Sequence, residues 1–120
     1  MHKTIRKKYN DAELTEFQIF IEKKLKKAET NLLDLEEQFL NSAELYESRG
    51  DWIDNATSDN DIDMMQLMAN RQRRYIIELK RALQRIQNKT YGICAVTGKL
   101  IDKNRLMAVP TTTKSLIAKV

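Results

Sequence analysis

Residues 10–50 read NDAELTEFQIFIEKKLKKAETNLLDLEEQFLNSAELYESRG, and the periodicity of this stretch decides the fold. Leu14, Phe17, Ile21, Leu25, Ala28, Leu32, Leu35, Phe39, Ser42 and Leu45 recur at spacings of three and four. That spacing lays a narrow apolar seam along one face of an α-helix. No Gly or Pro interrupts it before Gly50. Asn10 and Glu13 stand three residues apart, as in a capping box, where each side chain accepts the other's backbone N–H at a helix start. At about 1.5 Å per residue, roughly 37 residues would span about 55 Å. A helix that long in a chain of 120 residues cannot be enclosed by a globule and must lie along a partner.

The partner lies further along the same chain. Ile62, Met65, Met68, Gln72, Tyr75, Leu79, Ala82 or Leu83, and Ile86 repeat the 3/4 spacing, again without Gly or Pro until Gly92. Ser58 with Asp61 offers a second capping pair, and Asp59, Asp61 and Asp63 suit the positive end of a helix dipole. The connection, Ser48 to Thr57, is short, which favours antiparallel neighbours. The expected fold is mainly α: a long antiparallel coiled-coil hairpin over residues 11–90 with its tip at 49–58. Charge supports the pairing. Glu29 to Glu47 holds six acids and no base, whereas Arg71 to Lys89 holds seven bases and one acid, Glu78. Folding back sets the acidic stretch beside the basic one. Exposed pairs of this kind fix orientation more than they stabilise, at about 0–1 kcal/mol each.

Composition excludes much else. Three Gly and one Pro are too few for a turn-rich β-sandwich. Apolar runs reach about four residues against the roughly 20 a membrane helix needs. The opening MHKTIRKKYN has charge but no apolar core, so no secretory signal is read and a cytoplasmic location is expected. Residues 1–10 are read as a basic N-terminal arm. The net charge of +4 is modest for a nucleic-acid binder. No helix-turn-helix arrangement is visible, so sequence-specific DNA binding is not expected. One cysteine, Cys94, excludes an intrachain disulfide and a thiolate-rich metal site.

Residues 91–120 differ in kind. Tyr91 to Val109 reads as two short β segments around a turn, then Pro110, then a short helix over 111–120. Alone this tail is too small for a core. Its expected support is the overhanging start of the first helix, Leu14, Phe17 and Phe20. Ile93, Val96, Leu100, Ile101, Leu106, Leu116 and Ile117 are the candidate packing residues, with Cys94 as a small buried hydrophobe.

The pattern Tyr91-Gly92-x-Cys94-x-x-Thr97-Gly98-x-x-Ile101-x-x-x-Arg105-Leu106-x-Ala108-x-Pro110-Thr111 resembles the C-terminal module of the DksA/TraR family of RNA polymerase secondary-channel regulators. By that resemblance the family's four zinc cysteines fall on Cys94, Thr97, Ser115 and Ala118. Thr, Ser and Ala cannot replace three thiolates. A small, degenerate, zinc-free zinc-finger-like module over 91–120 is therefore expected, with no cofactor. The likeness extends to Asp51-Trp-Ile-Asp54-Asn-Ala56, which matches the Asp-x-x-Asp-x-Ala tip motif of the DksA branch.

The resemblance implies a transcription regulator, not an enzyme. Its hairpin would enter the polymerase channel and present Asp51, Trp52, Asp54 and Ala56 near the active centre. Arg71, Arg74 and Arg105 are further candidates for polymerase contact. A monomer is expected, since the hairpin closes its own seam. The family also implies the alarmone ppGpp. Lys119 stays basic, but Val109 and Glu78 stand at two other basic positions of the family, so no ppGpp site is assigned. Two other readings use the same scaffold: a coiled-coil interaction protein with another partner, or a Gre-type transcript-cleavage factor whose tip carboxylates hold Mg²⁺.

Overall fold

A computed structural model describes residues 8–49 and 55–114, with side chains over 8–42 and 61–114. Helix α1 runs Asp11–Arg49, α2 runs Asn55–Gln87 and α3 runs Lys103–Ala108. No strand is formed among the described residues, where a single antiparallel bridge joins Ile93 and Leu100. The protein is mainly helical, and α1 and α2 are the arms of a hairpin.

The chain divides into two compact units, residues 1–25 with 78–120, and residues 26–77. The first, the base, starts with a complete reciprocal cap on α1. The Asn10 N–H donates to Glu13 Oε1 at 3.1 Å, and the Glu13 N–H donates to Asn10 Oδ1 at 2.8 Å. Two of the four donors left open at the helix start are thereby satisfied. Leu14, Phe17 and Ile21 of α1 and Leu79, Ala82 and Ile86 of α2 are buried with Tyr9, Tyr91, Cys94, Ile101 and Leu106. Inside this unit the Phe17 ring of α1 lies against the Tyr91 ring of the tail. Phe20 is half-buried, with the Lys24 ammonium 5.3 Å from its ring centre.

Helix α2 ends in a Schellman motif. The Thr90 N–H donates to Arg85 O (2.9 Å) and the Lys89 N–H to Ile86 O (3.0 Å), with Lys89 left-handed at φ 62°. A lysine there carries a steric cost that glycine would avoid. It is offset in part by the exposed ion pair of Lys89 with Asp11 at 3.1 Å.

In the second unit, the arm, the α1 seam follows the sequence pattern: Ala28 is buried, and Leu32, Leu35, Phe39 and Ser42 are half-buried. On α2 the pattern shifts. Met68 is 45% exposed, while Ala69 and Ile76 turn inward beside Met65, Gln72 and Tyr75. Across the seam Arg73 pairs with Glu36 at 3.7 Å, and the Ser42 hydroxyl meets the Met65 sulfur at 4.0 Å.

Several expectations are corrected. Helix α2 starts at Asn55 rather than near Ser58, so Ser58 and Asp61 lie inside it and the connection is residues 50–54. Asn55, Ala56 and Thr57 contain nothing that interrupts a helical ladder. The β reading of 91–109 fails because Gly92 (φ 81°) and Gly98 (φ 71°) bend the chain into successive turns. Arg105 to Ala108, all good helix formers, then wind into α3. Val96 is 61% exposed rather than packed. Residues 111–114 are not helical, and the rest of that expected helix, with Leu116 and Ile117, lies outside the described residues. Tyr9, read as part of the arm at 1–10, is only 6% exposed and belongs to the core.

Candidate functional site

The tip is built by two helix ends. Helix α1 stops at Arg49 and α2 begins at Asn55, which leaves Gly50 to Asp54 as the connection. Asp51, Trp52 and Asp54 fall there and lie outside the described residues. Ala56 belongs to the first turn of α2, its side chain also outside them. Beyond the tip α2 carries exposed Met64, Leu67 and Met68, then the exposed candidates Arg71 and Arg74 one and two turns on. On the other side of the seam is a groove of about 480 Å³ lined by Leu35, Phe39, Leu40, Met65 and Ala69, crossed by the Glu36–Arg73 pair. The amide oxygen of Gln72 is buried in the seam and finds no hydrogen-bond donor among the described residues.

The base module is organised around a cluster of three rings. Tyr9 meets Phe17 edge-on (5.1 Å between centroids, 71°) and Phe17 meets Tyr91 at 5.2 Å. Each such pair adds about 0.5–1.5 kcal/mol beyond burial. Both phenols are tied down: the Tyr9 hydroxyl donates to Ile101 O and the Tyr91 hydroxyl to Pro110 O at 2.8 Å. Burial pushes the Tyr91 phenol well above its ordinary range; Arg85 opposes the shift and Tyr9 adds to it. Burial in turn lowers the Arg85 guanidinium, one of whose terminal nitrogens is buried with no acceptor among the described residues. Gly92 is required where it stands, since a Cβ there would lie 2.5 Å from the Tyr9 ring. Tyr9 was missed by the sequence reading; its aromatic side chain just ahead of the Asn10 cap was the available signal.

Around Cys94 the chain makes a tight knuckle. The Gly98 N–H donates to Cys94 O (2.9 Å), the Cys94 N–H to Lys99 O (2.8 Å) and the Thr97 N–H to Cys94 Sγ (3.4 Å). The thiol is buried, 2% exposed, as its small-hydrophobe reading implies. Ala95 is bonded to the segment after Pro110 through its N–H and Thr113 O at 2.7 Å. Arg105, expected to face a partner, turns its guanidinium onto the same segment: Nε donates to Lys114 O at 2.9 Å and a terminal nitrogen to Thr112 Oγ1 at 3.2 Å.

A profile described as the prokaryotic dksA/traR C4-type zinc finger matches residues 89–115. The chain is 37% identical over 73 residues to "RNA polymerase-binding transcription factor DksA" of Caulobacter vibrioides (strain NA1000 / CB15N), covering 61% of this chain and 51% of that one. It is 36% identical over 81 residues to "Uncharacterized protein YteA" of Bacillus subtilis (strain 168), covering 62% of this chain and 34% of that one. The chain therefore spans about half the length, or less, of these curated relatives. The structure of transcription factor DksA2 from Pseudomonas aeruginosa superposes with a TM-score of 0.82 at 21% identity, over 90% of this chain and 81% of that one. Residues 89–115 are thus similar to the zinc-finger module of the DksA/TraR family, and the fold is similar to that of a DksA protein.

The family's zinc does not fit the residues present. Of the four ligand positions Cys94 offers the one thiol, and that sulfur accepts the Thr97 N–H. Thr97 is a poor zinc ligand, and Ser115 and Ala118 lie outside the described residues. Among the described residues no three His, Cys, Asp or Glu side chains converge on a point that could hold a metal.

Proposed function

We propose that this protein is a DksA-like transcription regulator that binds RNA polymerase and places the tip of its helical hairpin in the secondary channel. The observation that carries this reading is the meeting of two long helices across residues 50–54, at the one place in the sequence where Asp51-x-x-Asp54-x-Ala56 occurs. A slender helical pair reaches where a compact domain cannot, and a carboxylate pair at its end suits basic groups or mobile catalytic elements within the channel. Asp51 and Asp54 supply the charge, Ala56 the close approach, and Trp52 a further tip contact. Exposed Arg71 and Arg74 suit an acidic channel wall. The effect falls on the balance between promoter-complex states, without chemistry by this chain and without sequence-specific DNA contact. Action as a cytoplasmic monomer accords with a seam that closes on itself. No helix among the described residues is long and apolar enough to cross a membrane.

In-vitro transcription with the cognate polymerase tests it. Asp54→Asn is expected to keep helicity and polymerase binding while abolishing the change in promoter-complex lifetime. Regulation undiminished in that variant rejects the tip assignment, and absence of any polymerase association at moderate salt rejects the partner. Cleavage of backtracked RNA in stalled complexes would instead favour a Gre-type activity.

A further inference from the structure

A module of zinc-finger type with one thiol left needs another tie between its two halves. On the family's spacing the metal would join the 94–97 turn to the chain after Pro110. We propose that Arg105 is the positioning residue that makes this tie without a metal. The guanidinium reaches from α3 to two acceptors two residues apart, Thr112 Oγ1 at 3.2 Å and Lys114 O at 2.9 Å. Thr112 completes the ring: its hydroxyl donates to Lys114 O at 3.0 Å and accepts the Lys114 N–H at 3.4 Å. The segment is thereby held where Thr113, between the two, takes the Ala95 N–H at 2.7 Å. One side chain thus joins α3 to residues 112–114, and the Ala95–Thr113 backbone bond joins that segment to the turn.

Arginine suits the task. Its fork of donors is planar, spaced for two acceptors, and charged at every accessible pH. Lysine would offer a single point of charge that can satisfy one acceptor at a time. The inference is independent of the polymerase reading, and it turns inward a residue whose place in the sequence motif suggested an outward contact.

Amide hydrogen exchange followed by NMR on the full chain tests the latch. Arg105→Gln is expected to speed exchange at Ala95 at least tenfold. Exchange at Ile101, whose N–H donates to Gly92 O, and along the α1 seam stays unchanged. Thr112→Val gives a smaller acceleration at Ala95. Lys103→Gln, which breaks an exposed pair with Glu16, gives none. A strong zinc chelator leaves Ala95 unchanged in the wild type. Undisturbed Ala95 protection in Arg105→Gln overturns the proposal, as a residue serving only a partner would behave in that way. Should Arg105→Gln fail to fold, Thr112→Val decides, and unaltered Ala95 exchange there is equally fatal. Chelator-induced loss of Ala95 protection in the wild type also overturns it.

Discussion

The base and the arm are made from the same two helices yet bury their side chains very differently. Eleven of the fourteen buried apolar residues described lie in the base; the arm holds Ala28, Ala69 and Ile76. In the base α1 and α2 are covered by a third layer, the turns of 91–114, and large rings close completely. In the arm there are only two helices, so Leu32, Leu35, Phe39, Met65 and Tyr75 remain half in water. A two-layer seam cannot enclose a large side chain, and each such residue contributes only part of its burial energy. Stability is concentrated in the base, and the arm is the region of lower local stability. The arm's sequence is correspondingly freer to serve contact, as its exposed Leu33, Leu40, Met64 and Leu67 illustrate.

Substitutions sharpen that contrast. The largest effect is expected at Phe17→Ala, which empties the ring stack and should cost about 3–5 kcal/mol in urea unfolding. Gly92→Ala should cost about 2–4 kcal/mol, because a methyl group at φ 81° would be driven into Tyr9. The matching truncation in the arm, Phe39→Ala, should cost about 1–2 kcal/mol, since its ring is half-exposed already. If Phe39→Ala proves as damaging as Phe17→Ala, the division of labour is wrong.

A gentler probe of the base is alkali. Burial raises the Tyr91 phenol in the folded state, with Arg85 opposing and Tyr9 reinforcing the shift. The neutral phenol is therefore favoured by folding. Its contribution is complete below about pH 10, where an unfolded tyrosine begins to ionise, and declines as pH rises beyond that. Melting temperature recorded from pH 8 to 11 should fall above pH 10, and Tyr91→Phe should flatten that decline. The smallest expected effect is none at all: chelator treatment should leave the melting temperature in place, and purified protein should carry well under one zinc per chain. Stoichiometric zinc would mean that the base has a support its described residues do not provide. Comparison of magnitudes explains why support must come from elsewhere. Structural zinc contributes about 10–16 kcal/mol in finger peptides, whereas charge-assisted hydrogen bonds of the Arg105 kind contribute about 1.5–3 kcal/mol each. The ring stack and the start of α1 must supply the rest, so residues 88–114 are not expected to fold alone.

How far this was legible in the sequence follows from which forces are local. The α1 seam could be read residue by residue, because a 3.6 period and a reciprocal Asn10–Glu13 cap are written along one continuous helix. On α2 the same period allowed two phases. Met68 and Ala69 are adjacent, and packing against α1, not hydrophobicity, chose the smaller residue. Reading Ile93, Leu100 and Ile101 as strand residues was reasonable on propensity, but two left-handed glycines and the burial of Leu106 imposed turns and a helix. Tyr9 escaped because the carbonyl that its hydroxyl binds lies 92 positions away. The tip motif and Arg105 are both read from the resemblance to the DksA/TraR family; a family pattern carries no side-chain direction, and the Arg105 guanidinium turns onto Thr112 and Lys114.

The hydroxyl of Tyr9 bonds a carbonyl 92 positions later in the chain. On the ribosome, Tyr9 and Phe17 therefore emerge long before Tyr91 and Ile101, and they wait for them through the synthesis of both helices. The seam between the helices can zip from the turn as soon as α2 appears, since its contacts there are comparatively near in sequence. Closing the ring stack is a long-range step that must follow. The half of the molecule that holds most of its stability is thus the half that forms last, and a nascent chain halted before Ile101 would possess the arm without the anchor.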